Sequence, residues 1–93
     1  MTTFAELNFK TTRNGGVQAH AFFPNGYGAS VMRDAMSYGG SAGLYELAVL
    51  KGAADCCEIT YATPVTDDVR GHLSPSDVTR LLGEIAALPT PKT

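Results

Sequence analysis

The amino-acid sequence predicts an α+β domain: an antiparallel sheet of about five strands, covered on one face by one C-terminal helix. Short segments of alternating apolar and polar residues follow one another over residues 5–61, separated by glycine-rich turns. A single apolar stripe with helical spacing follows in residues 74–88. The 93 residues suffice for one domain with a small core, which we assign to residues 1–88. We expect residues 89–93 to form a flexible tail.

The first two predicted strands flank a hairpin turn. Residues 5–11 and 17–23 alternate in hydrophobicity on either side of Asn14-Gly15-Gly16, a sequence typical of tight turns. Loop length sets the register, and a three-residue loop brings the two apolar faces together. The predicted pairs are Thr11 with Ala19, Phe9 with Ala21 and Leu7 with Phe23.

The third predicted strand extends the first two into a meander. Pro24-Asn25-Gly26 combines a residue that fixes φ with one that tolerates a positive φ. Another three-residue loop again matches odd-numbered residues with odd-numbered residues. The predicted pairs are Phe23 with Tyr27, Ala21 with Ala29 and Ala19 with Val31.

A fourth strand and a fifth strand are predicted to form a hairpin. Residues 44–50 are apolar on both faces except at Glu46, which indicates a central strand. The sequence CCEITYAT, which begins at residue 56, predicts a strand whose inward residues are Cys57, Ile59 and Tyr61. A loop over residues 51–55 would place Val49 opposite Cys57 and Leu47 opposite Ile59.

The helix is predicted from its end signals and its apolar stripe. Ser74 is placed as N-cap, Pro75 at the first helical position and Asp77 at the third. Leu73 and Val78 are spaced as a hydrophobic staple, and proline follows Leu88, where we expect the helix to end. The predicted core of the domain comprises Leu7, Phe9, Phe23, Val31, Leu47, Ile59, Leu81, Leu82 and Ile85.

Composition argues against several classes of function. The net charge is −2 and the seven basic residues are scattered, so direct nucleic-acid binding is not expected. The N-terminus lacks the basic and apolar segments of a secretory signal, and no apolar stretch is long enough to cross a membrane. Cys56 and Cys57 are adjacent and cannot form an ordinary disulfide with each other. A cytoplasmic protein is therefore expected.

The residue pattern predicts no catalytic site, metal site or cofactor. A zinc site from Cys56, Cys57, His20 and His72 is disfavoured, because adjacent cysteines on a strand point to opposite faces. His20 is expected on the outer face of the second strand and His72 in the loop before the helix. Neither histidine has a sequence context that marks a catalytic base. The sequence GYGASV lacks the following helix that a nucleotide-binding loop requires. We therefore expect a protein that is not an enzyme.

The strongest candidate for a binding site is the glycine-rich connection over residues 34–43. It is long for a small β domain, and it carries Met36 and Tyr38, residue types that interfaces enrich. We predict these two as partner-binding anchors, with Asp67 and Asp68 as an acidic rim. Two structural alternatives stay open. Tyr38 would fold over the sheet edge, and the two aspartates would lie at the start of a helical turn.

The sequences FPNGYGASV, SYGGSAGLYELAVL and TPVTDDVRGHLSPSDVTRLL resemble those of small proteins encoded by bacteriophages and integrated mobile elements, over roughly residues 22–85. The size and slight acidity are also similar to the anti-CRISPR class. The resemblance implies an inhibitor that docks on a host defence subunit, in a type I CRISPR-Cas effector complex, and blocks target DNA access. It would act in the host cytoplasm as a monomer or weak homodimer. The alternative is a structural or accessory phage protein that self-associates.

Overall fold

The computed structural model of the chain describes residues 2–12, 15–34, 43–53, 56–60 and 70–89. The chain begins with a 3-10 turn at Phe4–Glu6. The later elements are β1 (Lys10–Thr11), β2 (Val17–Phe22), β3 (Tyr27–Arg33), β4 (Tyr45–Ala53), β5 (Cys56–Ile59), β6 (Arg70–Leu73) and helix α1 (Pro75–Ala86). The predicted α+β class is confirmed, with an antiparallel sheet and a C-terminal helix that packs on it.

The sheet is antiparallel throughout, and β4 is its central strand, as predicted. The strands follow the order β1-β2-β3-β4-β5, and β6 pairs with β4 as well. β5 pairs with residues 50–53 of β4, whereas β6 pairs with Tyr45 and Leu47 near the other end of the strand. The two short strands therefore share one edge of β4. β6 was not expected from the sequence, which had placed His72 in a loop before the helix.

The turn between β2 and β3 has the predicted register. Ala19 lies opposite Val31 and Ala21 opposite Ala29. The Phe23 N–H donates to the Tyr27 carbonyl at 2.8 Å and closes the three-residue loop. Gly26 has φ +87°, which glycine adopts without steric cost.

The predicted strand over residues 5–11 is wrong in length and register. Its first residues form the 3-10 turn, and Thr11 lies opposite Val17 instead of Ala19. The loop still has three residues but starts one residue earlier, because Thr12 closes it. The Thr12 N–H donates to the Gly16 carbonyl at 3.0 Å, and the Thr12 hydroxyl accepts the Gly16 N–H at 3.1 Å.

The predicted register between β4 and β5 is also wrong. Ile59 lies opposite Leu50, and Cys57 lies opposite Gly52. The reason is that β4 continues to Ala53, so the connection is shorter than predicted and the parity of the pairing changes. Ile59 is consequently 48% exposed instead of buried in the core. Tyr61, the third predicted inward residue, lies outside the described residues.

The core lies between α1 and the odd-numbered face of the sheet. Leu7, Phe9 and Phe23, which were predicted to be core residues, are half-buried against it. Leu88, where the helix was expected to end, lies just beyond the last helical residue, Ala86. The buried cluster consists of Ala29, Val31, Leu47, Val49, Leu73, Val78, Leu81, Leu82 and Ile85.

Candidate functional site: the helix-free sheet face

The face of the sheet opposite α1 is a candidate binding surface in the described part of the chain. Side chains alternate along each strand, so the residues that do not point towards α1 point to this face. We call it the helix-free face. Its members are Gln18, His20, Phe22, Ser30, Met32, Glu46, Ala48, Leu50 and Ile59. They include apolar and hydrogen-bonding side chains, of which His20 and Ile59 are exposed whereas Ala48 and Leu50 are buried.

A partly enclosed cavity lies in the middle of this face. Its volume is about 180 Å³, and its lining residues are Gln18, Ser30, Met32, Glu46, Ala48 and Ile59. The Gln18 amide nitrogen donates to the Ser30 hydroxyl at 3.0 Å and so fixes the orientation of the glutamine. Ala48 is buried, whereas Ile59 is about half exposed. The cavity can accept an apolar side chain from a partner beside a carboxylate and an amide.

Two rings extend the helix-free face along β2. His20 and Phe22 are two residues apart on the strand, so both lie on this face. Their ring centroids are 6.3 Å apart with an interplanar angle of 21°. His20 is exposed, as expected from the sequence, and Phe22 is half-buried. This end of the face therefore offers flat ring surface to a partner.

A second cavity, more open to solvent, lies where the N-terminal segment crosses the start of α1. Its volume is about 260 Å³, and its lining residues are Thr3, Phe4, Ala5, Pro75, Ser76 and Thr79. The Phe4 N–H donates to the Thr79 hydroxyl at 3.0 Å, which joins the segment to the helix. Phe4 also packs against Phe9 and Tyr45. These contacts serve packing. The polar side chains that line the cavity, Thr3, Ser76 and Thr79, contribute only hydroxyl groups.

Among the described residues, the group with a clearly shifted pKa is Asp77, in the N-terminal cap of α1. The pKa of Asp77 is lowered because the Ser74 backbone N–H and hydroxyl both donate to its carboxylate, at 3.1 and 3.0 Å. Arg80 nearby contributes less to the lowering. The Ser74 hydroxyl in turn accepts the Asp77 N–H, which completes a capping box. This perturbation is explained by helix capping.

The four residues predicted to bind a partner, Met36, Tyr38, Asp67 and Asp68, lie outside the described residues. The elements on either side are described. The first pair belongs to the connection from β3 to β4, and the second pair to the connection from β5 to β6. At the end of β3, the Arg33 guanidinium lies 5.2 Å from the centre of the Tyr45 ring. The anchor-and-rim site stays a prediction.

The helix-free face was not among the sites predicted from the sequence. Its hydrophobic alternation already placed Gln18, His20 and Phe22 outward, and Met32 follows the same alternation in β3. That signal could have identified the face on β2 and β3. Ile59 could not have been found in this way, because its position depends on the β4–β5 register.

His72 lies in β6, not in the predicted loop, and has φ +57°. β6 has one more residue than β4 between their paired positions, so His72 lies at a bulge. Among the described residues, no group of three histidine, cysteine or acidic side chains could hold a metal ion. Within that same part of the chain, no helix is long and apolar enough to cross a membrane.

No protein-family model, curated protein or solved structure matches this chain.

Proposed function

We propose that this protein is a non-enzymatic binding domain that contacts another protein through the helix-free face of its sheet. The observation that carries the proposal is Ile59, which is 48% exposed at the rim of the cavity. Met32 lines the same cavity, and methionine and aromatic side chains are enriched at interfaces. The Gln18–Ser30 hydrogen bond adds a fixed polar group at the same place. Apolar area next to oriented polar groups is the usual composition of a protein interface.

The partner that we propose is a host defence subunit, in a type I CRISPR-Cas effector complex. The resemblance to phage-encoded proteins covers roughly residues 22–85 and so includes three of the strands that form the helix-free face. The net charge of −2 and the carboxylate of Glu46 on this face suit a basic partner surface that binds DNA. A domain bound there would block target DNA in the cytoplasm of the host bacterium.

The test measures binding of the purified protein to a purified type I effector complex from a candidate host. Ile59→Asp introduces a charge into the proposed contact and should weaken binding by about thirtyfold or more, as for an interface anchor. Ser76→Asp is the control, because it adds the same charge to an exposed position in the first turn of α1, where the helix dipole favours it. In a gel-shift assay, the wild type should lower the amount of target DNA bound by the complex. Equal binding by Ile59→Asp and Ser76→Asp would refute the proposed surface.

A further inference from the structure

Among the described residues, the outer edge of β2 is unpaired over most of its length. β1 pairs with β2 only at Val17 and Gln18, because the chain before Lys10 leaves the sheet for the 3-10 turn. Among the described residues, no strand pairs with this edge of β2 beyond Gln18. An exposed strand edge carries unpaired backbone groups that can accept another strand.

The register identifies which backbone groups point outward. The Phe23 N–H donates to Tyr27, so the odd-numbered residues of β2 direct their backbone groups towards β3. On the other side, the Thr12 N–H donates to the Gly16 carbonyl, so the even-numbered residues face β1. The N–H and carbonyl groups of His20 and Phe22 therefore point to the open edge.

We propose that two copies of this chain associate through this edge, with β2 antiparallel to the partner's β2 about a two-fold axis at Ala21. His20 would then lie opposite the partner's Phe22, and Phe22 opposite the partner's His20. Both pairs are of the hydrogen-bonded type, in which the two residues exchange both backbone bonds. The same surface serves both copies, as a two-fold interface requires.

The length of the open edge favours a second copy over an unrelated strand. The edge runs from Ala19, just past the residue that pairs with β1, to Phe23, just before Pro24. The last residue of a strand added antiparallel to this edge must lie opposite Ala19. The next position, opposite Gln18, is already occupied by Lys10 of β1. The partner's β2 ends there, because its Phe23 would lie opposite Ala19 and its Pro24 turns the chain away. Ala21 is the midpoint of this edge, so the symmetric pairing uses its full length.

The side chains at the edge are compatible with this pairing. His20 is exposed, and within a single copy of the chain its ring is stacked with the ring of Phe22. Across the axis, each histidine would face the partner's phenylalanine on the helix-free face, and aromatic pairs across strands are favourable. Since the contact is short, we expect a concentration-dependent equilibrium between monomer and dimer. The inference does not depend on the proposed defence target.

Disulfide trapping tests the position of the axis. In a Cys56→Ser, Cys57→Ser background, Ala21→Cys would place two thiols opposite each other in a non-hydrogen-bonded pair, within disulfide range. His20→Cys is the control, because residue 20 is more exposed but would lie opposite the partner's Phe22. Under mild oxidation, Ala21→Cys should form covalent dimer several-fold faster than His20→Cys. Equal rates, or a faster His20→Cys, would overturn the proposal.

Sedimentation measurements test the backbone pairing. With rising concentration, the wild type should shift from 9.8 kDa towards twice that mass. His20→Pro removes an N–H that the monomer's sheet does not use and should abolish the shift, whereas His20→Ala keeps the N–H and should retain it. A wild type that stays monomeric at millimolar concentration, or a His20→Pro dimer of unchanged strength, would contradict the proposal. If His20→Pro does not fold by circular dichroism, the cysteine comparison decides.

Discussion

At the residue scale, the side chain of Asn25 joins the β2–β3 turn to the end of the helix. Its amide nitrogen donates to the Ile85 and Leu88 carbonyls at 2.9 and 3.0 Å, and its amide oxygen accepts the Tyr27 N–H at 3.0 Å. The last turn of α1 contains no basic residue that could serve its free carbonyls. Asn25 was predicted for its turn chemistry alone, and the structure shows that it also caps α1.

We expect Asn25→Ala to lower the free energy of unfolding by about 1–3 kcal/mol, because it leaves partly buried carbonyls without a donor. Asn8→Ala is the matched control, since Asn8 is exposed. Asn25→Asp should be more damaging than Asn25→Ala, because it places a negative charge against the carbonyl end of the helix. Urea unfolding followed by circular dichroism measures all three. If Asn25→Ala is as stable as Asn8→Ala, the contact contributes nothing to stability.

At the element scale, α1 shows which structural features can be predicted from residues close together in the sequence. Its N-cap, its proline at the first position and its buried stripe were all predicted, because each depends on residues within a few positions of one another. The structure adds a capping box, in which the Asp77 carboxylate accepts a hydrogen bond from the Ser74 backbone N–H. The lowered pKa of Asp77 means that the folded state favours the ionised carboxylate.

The Asp77 carboxylate should make stability depend on pH. A folded-state pKa below the unfolded value of 3.8 gives stability that is present above this value and is lost as pH falls through the folded pKa. Asp77→Asn lacks this contribution. We therefore expect wild type and Asp77→Asn to differ more in thermal unfolding temperature at pH 7 than at pH 2. A difference independent of pH would mean that the carboxylate charge is not what stabilises the cap.

The two strands that follow β4 show where local signals fail. The β4–β5 register depends on where β4 ends, and a connection shorter by three residues moved Ile59 from the core face to the helix-free face. β6 was missed because it is held by pairing with β4, distant in sequence, and contains a bulge at His72. In contrast, the β2–β3 register was correct because Pro24-Asn25-Gly26 determines it locally.

At the scale of the whole molecule, the one helix among the described residues covers one face of the sheet, and no helix from that part of the chain lies on the other face. Hydrophobic alternation predicts which side chains point away from the core, and this prediction was correct for β2 and β3. It does not predict which of the outward residues are covered by other parts of the chain. For this reason, the sequence directed attention to the long connection with Tyr38, whereas the structure adds a surface that contains Met32 and Ile59.

The last prediction compares the anchor and rim residues predicted from the sequence in binding to the proposed partner, a type I effector complex. Tyr38→Ala should weaken binding by about thirtyfold, as expected when an anchor tyrosine is truncated. Asp67→Asn should mainly change the association rate and its salt dependence, because a rim charge acts over distance. Thermal unfolding should be unchanged in both variants. Normal binding by Tyr38→Ala together with a large loss in Ile59→Asp would assign the contact to the helix-free face alone. A Tyr38→Ala protein that unfolds would make the connection structural, as in the alternative where Tyr38 covers the sheet edge.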